Sequence, residues 1–130
     1  MTHDPISDFF ARIKNAYMAR RDETEAPYSK MILALAEILK NQGYLGKVEI
    51  QEEKHHKKLL MSLLYQDKEP KLTDVVMVSR PGKRVYVKRN ELPKVLSGFG
   101  MAIISTPEGL MTDKSARKKC IGGELICKLW

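Results

Sequence analysis

Along the N-terminal third of the chain the apolar positions recur at helical spacing. Ile6, Phe9, Phe10, Ile13 and Tyr17 share one face, with Asp8, Arg12, Lys14 and Asn15 opposite. This predicts a helix starting at Asp4-Pro5, an N-cap followed by a proline whose fixed φ suits the first turn. A second helix is expected after the cap candidate Ser29, through "KMILALAEILKNQ" to Gly43, because glycine readily takes the left-handed conformation that ends helices. Its apolar residues almost encircle the axis, so burial on most sides is expected. The period then changes to two in "KVEIQEEKHHKKLLMSLLY", with Val48 and Ile50 before a turn and Leu59, Met61, Leu63 and Tyr65 after it, which predicts a hairpin. Helix, helix, hairpin closes as helices on one face of a small sheet.

Residues 66–74, "QDKEPKLTD", lose all periodicity and read as a linker. Beyond it, Val75-Val76-Met77-Val78-Ser79 and Arg84-Val85-Tyr86-Val87-Lys88 flank Arg80-Pro81-Gly82-Lys83, expected as a hairpin on a type II turn with positive φ at Gly82. A helical turn around "NELPKVLSG" follows, then a strand "MAIIST", a turn Thr106-Pro107-Glu108-Gly109 of type I, and a strand "LMT". Thr112 or Asp113 caps a short basic helix "KSARKKC", Gly122-Gly123 breaks it, and "ELICKLW" closes the chain as a strand. No repeat or low-complexity segment stands out.

The 130 residues, 43% apolar and 30% charged, suit one domain or two very small ones packed together. The formal charge of +7 favours an anionic partner, nucleic acid before membrane. That charge is uneven: residues 1–65 hold ten Lys+Arg against nine Asp+Glu, and residues 66–130 thirteen against seven, giving +1 and +6. Met1-Thr2-His3-Asp4-Pro5 has no basic n-region, and the longest strongly apolar run, Met31 to Ala36, falls far short of the ~20 residues a bilayer requires. A cytosolic location without membrane contact is expected. Cys120 and Cys127 have neither C-x-x-C spacing nor a nearby histidine, and both are expected to be reduced packing residues.

Candidate chemistry concentrates in the basic half. Alternation puts Arg84, Tyr86 and Lys88 on one strand face, and with Arg80, Lys83 and Arg89 five cations fall between 80 and 90 without an acid. Such a row either pairs with phosphates while its ring stacks on a base or forms a solvated face. Ser105 and Thr106 at a stiff proline turn present small hydroxyls suited to ribose 2′-OH groups and base edges; equally, they serve local backbone groups. Gly122-Gly123-Glu124 offers close backbone approach beside a carboxylate acceptor, or a helix end beside an ion pair. A hydrolase built on Ser105 would need a histidine, and only His3, His55 and His56 exist, without a G-x-S-x-G or P-loop motif. His55 and His56 as strand neighbours point to opposite faces and make a poor metal pair.

The stretches "VSRPGKRVY", "ELPKVLSGFGMAIISTPEGLMTDKSAR" and "GGELIC", with "DPISDFFARIKNAY" and "PYSK" upstream, closely resemble the small-subunit ribosomal protein eight family of bacterial type over nearly the whole chain. The resemblance implies an α+β fold of two small tightly packed domains, here 1–66 and 67–130. It implies a non-catalytic primary binder of the 16S ribosomal RNA central domain, needed for assembly of the subunit platform, cytoplasmic, without metal or cofactor and monomeric when free. Neighbouring small-subunit proteins are the other implied partners. Some members also bind their own messenger RNA as repressors, an alternative that the sequence leaves open.

Carried across, the family's C-terminal grip on an irregular RNA minor groove nominates Ser105, Thr106, Pro107, Gly109, Gly123 and Glu124, with Tyr86, Arg80, Lys83, Arg84 and Lys88 nearby. A secondary N-terminal contact nominates Asp4, Pro5, Arg12, Lys14, Ser29 and Lys30. Glu108 departs from the basic or small polar residue frequent there and is expected to point away from RNA, and the Lys54-His55-His56-Lys57-Lys58 tip is unlike typical members.

Overall fold

Pro5 opens the first helix, α1 (Pro5–Met18), in a computed structural model that describes residues 4–130. Its buried face is the expected stripe Ile6, Phe9, Phe10, Ile13 and Tyr17, joined by Ala16. This helix belongs to a compact unit, Pro5–Leu72; a second unit comprises Thr73–Trp130 together with Asp4.

Within the first unit a strand precedes the second helix. β1 (Glu23–Pro27) buries only Ala26, too little to produce visible alternation, so helix, helix, hairpin is corrected to helix, strand, helix, hairpin. Helix α2 (Lys30–Asn41) starts where Ser29 Oγ accepts the Ile32 backbone N–H at 3.1 Å. It buries Ile32, Leu35, Ala36 and Leu39, and no residue from 32 to 39 is exposed, although Met31 in the first turn is.

The hairpin strands β2 (Leu45–Glu53) and β3 (His56–Leu63) complete an antiparallel sheet in the order β1-β3-β2. Central β3 buries Leu59, Met61 and Leu63, whereas Ile50 on edge strand β2 is exposed. Tyr17 ties the unit together: its hydroxyl donates to the Tyr44 carbonyl at 2.9 Å and accepts the Leu64 N–H at 3.2 Å. Burial raises its phenol above the usual pKa. Residues 65–70 carry a two-stranded ladder, β4 (Tyr65–Gln66) with β5 (Glu69–Pro70), and the division between units falls after Leu72.

The second unit holds β6 (Val75–Met77), β7 (Tyr86–Val87), β8 (Met101–Thr106), β9 (Gly109–Thr112), α3 (Asp113–Lys119) and β10 (Gly123–Leu129). Its sheet runs β6-β10-β8-β9, with β7 also on β10. The expected hairpin of 75–79 with 84–88 does not form as such, since β6 and β7 both pair with β10. The turn explains why. Arg80 and Lys83 exchange backbone hydrogen bonds of 3.0 and 2.9 Å, but Gly82 has no positive φ, so the turn is not type II. A two-residue loop with negative φ throughout splays its strands instead of matching their twist, and the ladder stops after one bridge.

Val95, Ala102, Ile104, Met111, Ala116 and Leu125 form the core of this unit, with Val85, Val87 and Trp130 packed against it. Thr112 caps α3, its Oγ1 accepting the Ser115 N–H at 3.2 Å. Cys120, at φ 56°, ends the helix in place of the glycine pair, and it is exposed, contrary to the packing role expected of it. Cys127 is buried as expected. No helix among the described residues is long and apolar enough to cross a membrane.

Candidate nucleic-acid interface

Paired residues on neighbouring antiparallel strands project to the same face, and the pairing here assembles a row across three strands. Tyr86 on β7 lies opposite Glu124 on β10, and Glu124 lies opposite Ser105 on β8. The intervening residues Val85, Val87, Ile104 and Leu125 turn to the core. Tyr86, Glu124 and Ser105, separated by up to 38 positions in sequence, thus share one outward face.

Within the row Tyr86 is 71% exposed, so its ring offers a free flat surface. Glu124 accepts from the Arg84 guanidinium at 3.2 Å, and its own side chain is only 19% exposed against 49% for Arg84. The carboxylate is therefore held in place, while the arginine stays open to solvent. No hydrogen bond joins the Ser105 hydroxyl to another described residue.

Thr106 behaves differently from its neighbour. Alternation turns it to the core side, where it is buried, and its Oγ1 donates to the Gly109 carbonyl at 2.8 Å and accepts the Glu108 N–H at 3.1 Å. Its hydroxyl is spent on the turn, one of the two uses left open by the residue type. Pro107 and Glu108 have no positive φ, as a type I turn requires, and Gly109 at φ 110° restores the strand direction. Pro107, Glu108 and Gly109 are all exposed. Glu108 pairs with Lys119 of α3 at 3.2 Å.

The glycine pair allows close approach, and the approaching backbone is the chain's own. A Cβ on Gly122 would stand 2.3 Å from the Val87 carbonyl oxygen, and one on Gly123 2.1 Å from that of Ser105. The pair thus sets β7 and β8 tight against β10.

The cations Arg80, Lys83, Arg84, Lys88 and Arg89 are all exposed. Ser79, absent from any sequence-level candidate list, anchors their loop: buried, its Oγ accepts the Val85 N–H at 2.9 Å. Asp113 was also missed, for at the start of α3 its cap role was the visible one. Only 2% exposed, it accepts the Ala102 N–H at 3.0 Å and the Arg117 guanidinium at 2.5 Å, tying α3 to β8.

The N-terminal candidates lie at Asp4, on α1 and at the start of α2. Pro5 and Arg12 lie exposed on α1, with Arg12 paired to Asp8 at 2.9 Å, and Lys14 is half-buried on the same helix. Ser29 is committed as the α2 cap beside exposed Lys30. Asp4 is half-buried and belongs to the other unit. His55 and His56 are exposed at the β2–β3 tip, and no metal-binding group of three ligands occurs among the described residues. His3 lies outside the described residues. Residues 73–130 contain no histidine.

Comparison with known proteins decides the family: the family model of ribosomal protein S8 matches residues 4–130. The chain belongs to the ribosomal protein S8 family. It is 50% identical over 127 residues to the small ribosomal subunit protein uS8 of Dictyoglomus turgidum, covering 98% of this chain and 97% of that one. It is 47% identical over 131 residues to the protein of the same name from Sorangium cellulosum, covering all of both chains. The S8 family consists of structural, non-enzymatic ribosomal proteins, and the hydrolase alternative for Ser105 falls with that membership.

Proposed function

We propose that the chain is a structural component of the small ribosomal subunit that binds the 16S ribosomal RNA central domain and supports assembly of the subunit platform. The observation carrying this reading is the cross-strand row Tyr86, Glu124, Ser105 beside the stiff tip Pro107 to Gly109, flanked by the exposed cations from Arg80 to Arg89. The relatives are named as small ribosomal subunit proteins, which supports the ribosomal part of this reading. A-form RNA exposes a wide, shallow minor groove edged by 2′-hydroxyls, and recognition there favours small donors and acceptors over long cations. Ser105 both donates and accepts, the held Glu124 carboxylate accepts from a 2′-OH or a base amine, and the Tyr86 ring stacks on an unpaired base, worth about 1–3 kcal/mol. The surrounding Arg and Lys supply attraction to phosphate that carries no sequence information.

In this reading the C-terminal domain, residues 67–130, holds the principal grip, and the N-terminal domain adds a secondary contact through Arg12, Lys14 and Lys30. A filter-binding titration tests it. The protein is expected to prefer a 16S central-domain fragment to a random duplex of equal length by at least tenfold at physiological salt, and equal affinity for the two overturns the proposal.

A further inference from the structure

Glu108 stands at the tip of a hairpin that the proposed function directs at RNA, where an acid repels phosphate. Its partner suggests a use. The Glu108–Lys119 pair, 3.2 Å long, joins the tip to the C-terminal end of α3. Lys114 and Lys118, one helical turn apart, are exposed on that helix, and the Lys119 side chain is 52% exposed. Arg117 is excluded from this face, since Asp113 and the Pro93 carbonyl hold its guanidinium. Complementing the helix dipole explains lysines in the last turn, but not Lys114, second residue of α3, where the dipole disfavours a cation. Its position costs helix stability without a compensating ion pair among the described residues.

Resting on the reading of the tip as an RNA contact, we infer that Lys114, Lys118 and Lys119 form a second contact for the RNA phosphate backbone, continuous with the tip and restrained by Glu108. The carboxylate occupies Lys119 in the free protein. A phosphate arriving with a correctly seated RNA replaces it, at little loss because exposed ion pairs are weak. An RNA that does not fit the tip meets the acid with no shape gain, so Glu108 acts against unspecific binding. The row on the sheet reads shape, and the end of α3 holds phosphate once shape is matched.

Salt dependence separates these roles. Affinities of the full chain for the 16S central-domain fragment and for a random duplex are measured from 50 to 300 mM KCl. For Lys114→Ala/Lys118→Ala/Lys119→Ala the slope of log K against log salt is expected to become shallower by about two, since each neutralised phosphate contributes roughly 0.7–0.9. Glu108→Gln is expected to tighten random-duplex binding about threefold to tenfold at low salt and to shrink the preference for the fragment. Helical circular dichroism matching the wild type establishes that each variant is folded, and the triple Lys→Gln variant replaces the alanine one if it is not. An unchanged slope overturns the inference, as does weakened binding to both RNAs in Glu108→Gln. If the wild type prefers neither RNA while the slope still flattens, the contact on α3 stands and the proposed function falls.

Discussion

A Cβ on Gly123 would lie 2.1 Å from the Ser105 carbonyl oxygen, well inside van der Waals contact. The obstacle is backbone in a central strand pair, which moves only if β8 and β10 part. Gly123→Ala is therefore expected to cost about 1–3 kcal/mol in urea unfolding. It should also spoil the register of Glu124 with Ser105, because the collision sits one residue away.

Asp113 anchors α3 through three groups at once. Its carboxylate takes the Ala102 N–H and the Arg117 guanidinium, and Arg117 reaches on to the Pro93 carbonyl at 3.2 Å. Asp113→Ala strands a buried N–H and a partly buried cation, and a loss of about 3 kcal/mol is expected from the cost of breaking such pairs. Asp113→Asn keeps an acceptor for Ala102 and should lose less than half as much, as chemical denaturation would show.

Elements with strong burial asymmetry were legible in advance. The faces of α1 and β3 follow from apolar spacing alone, because most apolar residues there are buried. Strand β1 was not legible, since one buried alanine in five residues makes no pattern. The pairing of β6 and β7 with β10 was not either: local alternation predicts strands, but the partner of a strand depends on turn geometry and on which neighbour offers an apolar face. The same limit applies to the site. Ser105, Tyr86 and Glu124 were identifiable by type, whereas their alignment across three strands, and the partners Arg84 for Glu124 and Lys119 for Glu108, join positions up to 40 apart in sequence.

Burial sets the behaviour at alkaline pH. Desolvation pushes the Cys127 thiol from 9.0 up to about 12, and burial raises the Tyr17 and Tyr44 phenols as well. For each of these groups the native state holds the proton more tightly than the unfolded chain. Their contribution is thus complete below about pH 9 and is lost as pH climbs toward 12. The urea midpoint should decline across that window, and less steeply in Cys127→Ala. At pH 8 a thiol reagent should modify Cys120 quickly and Cys127 only in denaturant, because reactivity follows thiolate exposure.

Ser105 and Thr106 are adjacent hydroxyls with opposite assignments, and paired measurements distinguish them. Thr106 closes the turn through the Glu108 N–H and the Gly109 carbonyl, so Thr106→Val should lower stability by about 1 kcal/mol and weaken RNA binding through a looser tip. Ser105 has no such duty: Ser105→Ala should leave unfolding within about 0.5 kcal/mol of wild type while weakening binding to the 16S fragment by about 1 kcal/mol. Neither change removes a charge, so the salt slope stays constant in both variants, whereas Lys83→Ala or Arg84→Ala flattens it by about one unit. Equal stability losses for Ser105→Ala and Thr106→Val would place both hydroxyls in the turn and leave the sheet row without its donor.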